Sequence, residues 1–377
     1  MALVRIGSGP IDAVPALVRY LHSLVEAGHE ATVLTWDRDL SRTVEEQRSG
    51  CRLIRYGCFR CPSGSLRTYA GLLLWQLWLF RKLLFGASDV VHACDITCAP
   101  ACRLATWLRG ARFVYDVRDP VAVSFNWPGS LKGLLGLAER ALTNLADAVI
   151  VPDENRVEYL GGAARSPGRL VVLYNAPEDR PDLVGADGRD PVAPLRLNLC
   201  GYLHPTRGVS MALELARECE QVELDVVGRP RDEAMRQSIT STPRVRFHGQ
   251  VPLRESQRLM STADAVLVLY DPSVEVNRVA CPNKLFEAMM LGKPVITNAG
   301  TAVAEFAERE GVGFVVDYGD IGALVECVRR ALSEEHPLAD MSKRARRLFE
   351  ERYNWDSQAP LYLQALAQHR QTDTLHG

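Results

Sequence analysis

The sequence predicts a two-domain α/β fold in which parallel strands alternate with helices. The chain has 377 residues, which is long for one compact domain. Short runs rich in β-branched residues alternate with segments of helical length, a pattern typical of open parallel sheets. This pattern occurs on both sides of residues 177–194, which are rich in Pro, Asp and Gly and lack apolar periodicity.

The first half opens with a strand–helix–strand pattern. Apolar residues 3–6 predict a strand, and apolar residues from Leu17 to Val25 recur on one helical face. Gly28 ends that helix before a strand at 31–35. Nearly continuous β-branched runs predict further strands at 89–92, 112–115 and 148–151.

The second half repeats this alternation. Strands are predicted at 195–200, 223–227, 245–247, 265–269, 294–297 and 313–316. Helical periodicity between them predicts helices at 210–219, 253–261, 283–291 and 321–333. Because ligands of such sheets bind at the carboxyl ends of strands, we expect function at these ends.

Composition narrows the class of protein. The chain is 47% apolar and 24% charged, values of ordinary globular proteins, and its formal net charge of −2 gives no general attraction to nucleic acid. The sequence has neither a long uninterrupted apolar run nor a signal peptide at its start. Ten cysteines without an export signal indicate free thiols in a reducing compartment. We therefore expect a cytoplasmic protein with no nucleic-acid partner.

The segment from Cys281 to Ile296 carries the strongest chemical signal. Pro282 marks a helix start, where unpaired N–H groups and the helix dipole attract an anion such as a diphosphate. Lys284 falls in the first turn, where the dipole disfavours a cation, and a bound phosphate would explain it. Glu287 lies one turn deeper, where a carboxylate can accept hydrogen bonds from ribose hydroxyls. An ordinary surface helix with routine charges fits the same spacing.

This segment resembles the nucleotide-sugar site of the GT-B glycosyltransferases, in particular the retaining family four, one branch of which has the same Pro-Asn-Lys-Leu-Phe-Glu helix start. Other matches follow in the family's order along nearly the whole chain. They lie at residues 21–35, 89–95, 139–151, 173–175, 201–208 and 263–266. The resemblance implies a GT-B fold, that is, two facing Rossmann-like domains with parallel sheets and an interdomain cleft.

The resemblance also implies domain limits. Residues 1–180 would form an acceptor-side domain, 181–194 a linker, and 195–355 the nucleotide-sugar domain. Residues 356–377 would form a helix that packs back on the first domain, and a tail. The implied reaction is transfer of a sugar from a nucleoside diphosphate donor to an acceptor hydroxyl with retention of configuration. The acceptor would be a glycan, a lipid-linked sugar or a small molecule.

The resemblance also implies a role for each residue of this sequence that matches a functional position of the family. Glu287 would hold the donor ribose, and Arg207 would grip the diphosphate with a planar fork that stays charged. Lys284 and the backbone N–H of Asn283 would share that anion. Glycines would allow close backbone approach to the donor, although ordinary turns explain them as well. They are Gly7, Gly9 and Gly300.

Two positions depart from the family pattern. Val279 stands where many relatives have a carboxylate that touches the donor sugar, and Glu275 is the nearby candidate to replace it. Cys94 stands where many relatives have a histidine facing the reacting sugar. His92 is then either catalytic or a histidine satisfied in the core. Asp95 and Asp119 are further candidates to line the cleft, Asp95 as a catalytic group.

We expect neither a metal nor a cofactor. Cys58 and Cys61 have the spacing of half a zinc site, but no second pair lies near them in the sequence. The nucleoside diphosphate-sugar would act as co-substrate. Two other functions fit the pattern, namely a nucleotide-sugar-binding relative that is inactive or partner-dependent, and a sugar-nucleotide epimerase on the same fold.

The run from Tyr69 to Phe85 predicts an unusual helix. It is apolar almost all round, contains two tryptophans, and lies in a stretch without acidic residues from Gly50 to Ser88. Such a helix can lie in the interface of an anionic membrane or be buried beside a sheet. The first alternative predicts peripheral contact with the inner face of a membrane.

Overall fold

A computed structural model describes residues 1–6, 14–48, 50–61, 66–118, 120, 129–160, 169–185, 193–333 and 337–367. The chain divides into two compact units. Unit 1 comprises Met1–Tyr174 and Gln358–Gly377, and unit 2 comprises Asn175–Ser357. Gly7, Gly9, Asp119 and part of the expected linker lie outside the described residues.

Unit 1 contains a sheet of eight described strands in the order β3-β4-β2-β1-β5-β6-β7-β8. All neighbours pair in parallel except β3, which runs antiparallel to β4. The strands are β1 (Ala2–Ile6), β2 (Thr32–Trp36), β3 (Glu45–Arg48), β4 (Cys51–Tyr56), β5 (Val90–Cys94), β6 (Arg112–Asp116), β7 (Ala148–Val151) and β8 (Leu170–Val172).

The helices of unit 1 connect these strands, and a last helix enters from the end of the chain. They are α1 (Pro15–Glu26), α2 (Leu66–Leu84), α3 (Ala99–Arg109), α4 (Gly129–Leu145), α5 (Glu154–Tyr159) and α14 (Trp355–Ala367), of which α14 passes from unit 2 into unit 1. The core of this unit includes the fully buried side chains of Trp75 and Phe113.

Unit 2 contains six described strands in the order β11-β10-β9-β12-β13-β14, all parallel. The strands are β9 (Leu195–Leu203), β10 (Val222–Pro230), β11 (Val245–Gly249), β12 (Ala265–Val268), β13 (Val295–Asn298) and β14 (Gly313–Val316). The helices are α6 (Val209–Glu218), α7 (Glu233–Ser241), α8 (Leu253–Ser261), α9 (Glu275–Arg278), α10 (Asn283–Met290), α11 (Ala302–Glu310), α12 (Ile321–Ala331) and α13 (Pro337–Glu351).

The parallel sheets expected in both halves are confirmed. The prediction missed β3 and β4, because β3 is exposed and polar and the cationic residues of β4 interrupt its apolar pattern. The resemblance at 173–175 implies the last strand of the first half at these residues, and this position is wrong by three residues. The strand there is β8, and Leu173 to Asn175 follow it.

The apolar run from Tyr69 to Phe85 corresponds to α2. Its tryptophans are not its most exposed side chains, since Trp75 is fully buried and stacks on Trp36 and on the half-buried Trp78. The apolar face that α2 exposes consists of other side chains. Among the helices the structure describes, none has the length and hydropathy required to span a bilayer.

Candidate functional site

The order of strands in unit 2 marks one edge of its sheet as a ligand site. The chain builds β10 and β11 on one side of β9 and then returns to build β12, β13 and β14 on the other. The order therefore reverses between β9 and β12. In open parallel sheets the crevice beyond the carboxyl ends of two such strands is where ligands bind.

Arg207 lies at this edge, in a 3₁₀ turn (Pro205–Arg207) that follows β9. Its guanidinium stacks 4.3 Å from the ring centroid of Tyr270, the second residue after β12. The turn is held to the β12 loop, since the Thr206 carbonyl accepts hydrogen bonds from the backbone N–H of Asp271 and the side chain of Asn277. Within the described chain, no carboxylate or hydrogen-bond acceptor pairs with this half-buried guanidinium.

Lys284 comes from the other side of the switch point. It lies in the first turn of α10, which begins directly after Pro282 as the sequence predicted. Its Nζ donates a 2.6 Å hydrogen bond to the carbonyl of Cys200 in β9 and lies 5.6 Å from the centroid of the Tyr270 ring. Arg207 and Lys284 therefore share one aromatic ring, and two cations from distant parts of the sequence meet at one edge.

Glu287 lies close to the same point. Burial raises the pKa of the Cys200 thiol to about 11, the positive charge of Lys284 opposes that increase, and the negative charge of Glu287 adds to it. Both charged groups therefore act on one buried thiol. Asn283 is the first residue of α10, so its N–H belongs to the unpaired group at the helix start.

Two glycines bring the ends of β9 and β10 together beside Lys284. Gly201 and Gly228 pair in register and both have positive φ, of 115° and 139°. A Cβ on Gly228 would lie 1.8 Å from the carbonyl oxygen of Gly201, and one on Gly201 would lie 3.4 Å from Nζ of Lys284. The absence of a side chain at Gly228 allows the two backbones to approach each other, and a side chain at Gly201 would crowd the Lys284 ammonium.

Gly300 lies in the turn after β13. It has a φ of 77°, is exposed, and a Cβ there would lie 3.3 Å from Cβ of Pro272 in the loop after β12. The structure therefore places Gly300 at the same edge of the sheet as Tyr270.

Sequence reasoning missed Tyr270 and Asn298. The side chain of Asn298, fully buried at the end of β13, accepts a hydrogen bond from the Tyr270 N–H at 2.7 Å and donates one to the Tyr270 carbonyl at 2.9 Å. These two hydrogen bonds hold the backbone of Tyr270, whose ring lies near both cations. The sequence did contain a signal for both residues. Tyr270 directly follows the strand predicted at 265–269, and Asn298 directly follows the strand predicted at 294–297.

Glu275 and Val279, the two positions considered for the donor-sugar carboxylate, lie at opposite ends of a short helix. Glu275 begins α9 and Val279 follows its end, and both side chains are half-buried. Asn277 between them is buried and donates hydrogen bonds to the carbonyls of Thr206 and Asp271. A donor-sugar role for Glu275 stays a prediction.

His92 lies in a different place, in the core of unit 1. It is fully buried in β5, its Nδ1 lies 3.2 Å from the Tyr362 hydroxyl, and its Nε2 lies 3.4 Å from Asp116. Cys94, also buried, is 3.9 Å from both His92 and Asp116. The geometry favours the interpretation of His92 as a histidine satisfied in the core, and a catalytic role stays a prediction.

Asp116 is the centre of this cluster. Burial would raise the pKa of its carboxyl, but the Arg118 guanidinium at 3.1 Å and a hydrogen bond with His92 outweigh burial and lower it. Atoms of His92, Cys94 and Asp116 lie within 4.8 Å of one another, a spacing that could suit a metal ion. Because the Arg118 cation already neutralises Asp116, the cluster is suited to an ion pair rather than a metal.

Asp95 follows β5 with a φ of 69°, the left-handed region that few residues other than glycine adopt. Its N–H donates to the Asp116 carbonyl, and its own carbonyl accepts from the N–H of Cys98 and of Ala99. This backbone turn holds Asp95 at the carboxyl edge of the unit 1 sheet. A catalytic role for the half-buried side chain stays a prediction.

A pocket of about 570 Å³ opens at the other edge of the unit 1 sheet, lined among others by Met1, Asp89, Arg109 and Asp147. These residues lie near the amino ends of strands and at the end of α3. Because ligands of open parallel sheets bind at the carboxyl ends, the volume alone gives this pocket no function.

Comparison with protein families decides the class. Residues 13–176 match the model of the glycosyl transferase 4-like domain, and residues 196–334 match the model of glycosyl transferases group 1. The chain is a glycosyltransferase with one domain of each kind. The candidate site of this glycosyltransferase lies within the group 1 domain. No curated protein matches its sequence.

Solved structures place this glycosyltransferase in the GT-B fold. Sucrose-phosphate synthase from Thermosynechococcus elongatus is 18% identical with a TM-score of 0.74, over 97% of this chain and 98% of that one. The glycosyltransferase WaaG, involved in lipopolysaccharide biosynthesis, is 18% identical with a TM-score of 0.67, over 98% and 100%. HepE of Anabaena, solved with UDP and glucose, is 16% identical with a TM-score of 0.68, over 97% and 99%. The GT-B fold class is thereby confirmed.

Proposed function

We propose that the protein transfers a sugar from a nucleoside diphosphate-sugar to an acceptor hydroxyl and retains the configuration at the anomeric carbon. The observation that carries this proposal is the pair of cations, Arg207 and Lys284, above the Tyr270 ring at the switch point of unit 2. Neither cation has a carboxylate partner within the described chain. A diphosphate would supply the missing anion.

The cations would act mainly on the leaving group. As the bond between the anomeric carbon and the diphosphate oxygen breaks, negative charge develops on the diphosphate. Arg207, Lys284 and the N–H groups that start α10 would stabilise that charge, and groups that are held in place before the reaction need little reorganisation during it. These groups supply the charge stabilisation that a metal provides in other transferases, and we propose a reaction independent of metals and cofactors.

We propose further donor contacts for residues at the same carboxyl edge of the unit 2 sheet. Glu287, one turn into α10, would accept hydrogen bonds from the ribose hydroxyls, and the N–H of Asn283 would bind a phosphate oxygen. Gly300 in the second domain would allow close approach of the donor. Gly7 and Gly9, for which the resemblance implies the same role, lie outside the described residues. A diphosphate oxygen would receive the acceptor proton while the new bond forms between the acceptor oxygen and the anomeric carbon.

The structures of relatives suggest which donor to test first. HepE of Anabaena was solved with UDP-glucose, and a trehalose-6-phosphate protein of E. coli was solved with UDP-2-fluoro glucose. Both are similar to this chain in fold, and UDP-glucose is therefore the first probe. The acceptor would be a glycan, a lipid-linked sugar or a small molecule. A lipid-linked acceptor would bring the enzyme to the inner face of a membrane.

A nucleotide-sugar-binding relative without activity of its own is the second candidate. It is favoured by Val279 in place of a carboxylate and by the burial of both His92 and Cys94, which leaves neither as an accessible acid or base in unit 1. Hydrolysis of the donor by the purified protein, or transfer to any acceptor, would exclude this candidate. An epimerase needs acid–base groups around the sugar, and conversion of the donor to its epimer without an acceptor would favour it.

The donor site is tested by ligands of increasing size. Arg207→Ala should weaken both pyrophosphate and UDP-glucose, because each contains the diphosphate. Glu287→Ala should weaken UDP-glucose by about 1.5–3 kcal/mol, as for one hydrogen bond to a charged group, and leave pyrophosphate unchanged. Binding is measured by calorimetry. Arg347→Ala and Glu308→Ala, both at exposed positions, are the matched controls.

Equal binding of UDP-glucose by all four variants, with affinity as in the original protein, would contradict the assignment of this edge. Loss of pyrophosphate binding in Glu287→Ala would contradict the ribose role of Glu287 alone.

A further inference from the structure

The outer surface of three helices in unit 1 is unusually apolar. Helices α2, α3 and α4 each follow a strand and lead to the next, from β4 through β5 and β6 to β7, always in the same direction across the sheet. Because such crossovers are right-handed, all three helices lie on one face of the sheet. Helix α3 packs against both α2 and α4, so the three form one continuous layer.

This layer exposes large apolar side chains on every helix. Leu73 of α2, Trp107 of α3 and Leu134 of α4 are 69%, 64% and 63% exposed. Single exposed leucines are ordinary, but a surface shared by three adjacent helices marks an interaction site. We call this surface the leucine face, and it consists of Tyr69, Leu73, Leu74, Leu77, Leu104, Trp107, Leu108, Leu131, Leu134, Leu137 and Leu145.

The exposed charges that the three helices carry are positive, although the Glu45 carboxylate of β3 acts on Lys82 and Asp89 and Asp147 line the pocket that Trp107 also lines. The three helices expose four cations, which are Arg67, Arg81, Lys82 and Arg140. Helices α2 and α3 contain no acidic residue, and the one acidic residue of α4, Glu139, is buried. Apolar side chains among exposed cations, on helices without an exposed carboxylate, match the surface of an anionic bilayer, whose phosphates lie outside an apolar interior. A second copy would bring the same cations against one another, which is unfavourable.

We propose that the leucine face docks on an anionic phospholipid bilayer. The leucines and Trp107 enter the interface, and the cations contact lipid phosphates. The proposed contact is peripheral and reversible. The inference extends the proposed function by placing the enzyme where a lipid-linked acceptor lies. It rests on unit 1 surface residues and is independent of Arg207 and Lys284.

Vesicle sedimentation of the full-length protein tests this proposal without donor or acceptor. Binding should be found with vesicles of phosphatidylglycerol and phosphatidylcholine, fall as salt is added, and be absent with phosphatidylcholine alone. The double substitution Arg81→Glu with Lys82→Glu should weaken binding at least about tenfold, since one cation near such a surface contributes roughly fivefold. Lys343→Glu with Arg347→Glu makes the same charge change at exposed positions of α13 and should bind as the original protein does.

The contribution of the apolar side chains is tested by the double substitution Leu77→Ser with Trp107→Ser. It should reduce vesicle binding several-fold and leave the salt dependence of that binding unchanged. Absence of binding to anionic vesicles, or equal weakening by the α13 pair, would overturn the proposal. A salt-resistant dimer that the Leu77 and Trp107 substitutions dissociate would identify a second copy as the occupant instead. Pyrophosphate binding, measured on every variant, reports separately on folding and on the proposed donor site.

Discussion

Arg207 differs from many arginines of unit 2 because its guanidinium has no carboxylate partner in the described chain. Arg236 and Arg258, for example, pair with glutamates one helical turn away on exposed surfaces. Such exposed pairs contribute little to stability. Arg207 instead lies on an aromatic ring, where its charge is held in place and stays available to an anion. The proposed role of Arg207 therefore rests on its position and not on its residue type.

In unit 1 the reverse holds, since the charges of the His92 cluster are satisfied internally. Asp116→Asn should lower the free energy of unfolding by ~3 kcal/mol near neutral pH, because Arg118 loses its anionic partner. The folded pKa of Asp116 lies below its usual value. The stabilisation is therefore complete above the unfolded pKa of about 4 and is lost as the pH falls through the folded pKa.

Urea unfolding between pH 7 and pH 3 measures this effect. The difference between the original protein and Asp116→Asn should be constant near neutral pH and shrink below about pH 4. Asp317→Asn, at an exposed position, is the control and should change stability by less than about 0.5 kcal/mol. A difference that persists unchanged at pH 3 would show that the charge of Asp116 is not its source.

At the scale of elements, the ends of strands and helices carry the site. Pro282 predicted the start of α10, and the structure confirms that the helix begins at the next residue. The ends of strands were less predictable, since β9 and β10 each extend three residues beyond the last residue of the strand that the sequence predicted. Gly201 and Gly228 lie in those extensions, where the two backbones approach too closely for side chains.

Gly228→Ala should therefore destabilise unit 2 by more than the cost of its positive φ. A methyl group at residue 228 would overlap the backbone carbonyl of Gly201, which cannot move without distorting β9. We expect a loss of more than about 2 kcal/mol in urea unfolding. Gly249→Ala is the matched control, with a φ of 66° and open space around it, and should lose only about 1–2 kcal/mol. Equal losses would contradict the steric argument.

At the scale of the whole molecule, the end of the chain completes the first unit. Helix α14 places Tyr362, which is fully buried, 4.3 Å from the ring of Tyr20 and within hydrogen-bond distance of His92. The Arg112 guanidinium also donates a hydrogen bond to the carbonyl of Ala365. Unit 1 thus depends on residues that are synthesised after the whole of unit 2.

Substitutions of Tyr362 separate packing from hydrogen bonding. Tyr362→Ala should lower the free energy of unfolding by about 3–5 kcal/mol, because it removes a buried ring. Tyr362→Phe should cost only about 1 kcal/mol, for the hydroxyl that His92 loses. Urea unfolding measures both, with the exposed Tyr69 changed to Ala as control. If Tyr362→Ala proves as stable as that control, α14 does not stabilise unit 1.

The sequence by itself determined the alternation of strands and helices, the helix start at Asn283 and the cation in its first turn, because hydrophobic period and proline geometry are local properties. Only the tertiary structure decided that Arg207 and Lys284 share the ring of Tyr270, and that His92 is buried against Asp116 and Tyr362. These contacts join residues tens to hundreds of positions apart. Such contacts depend on strand order and packing, and no local pattern records them.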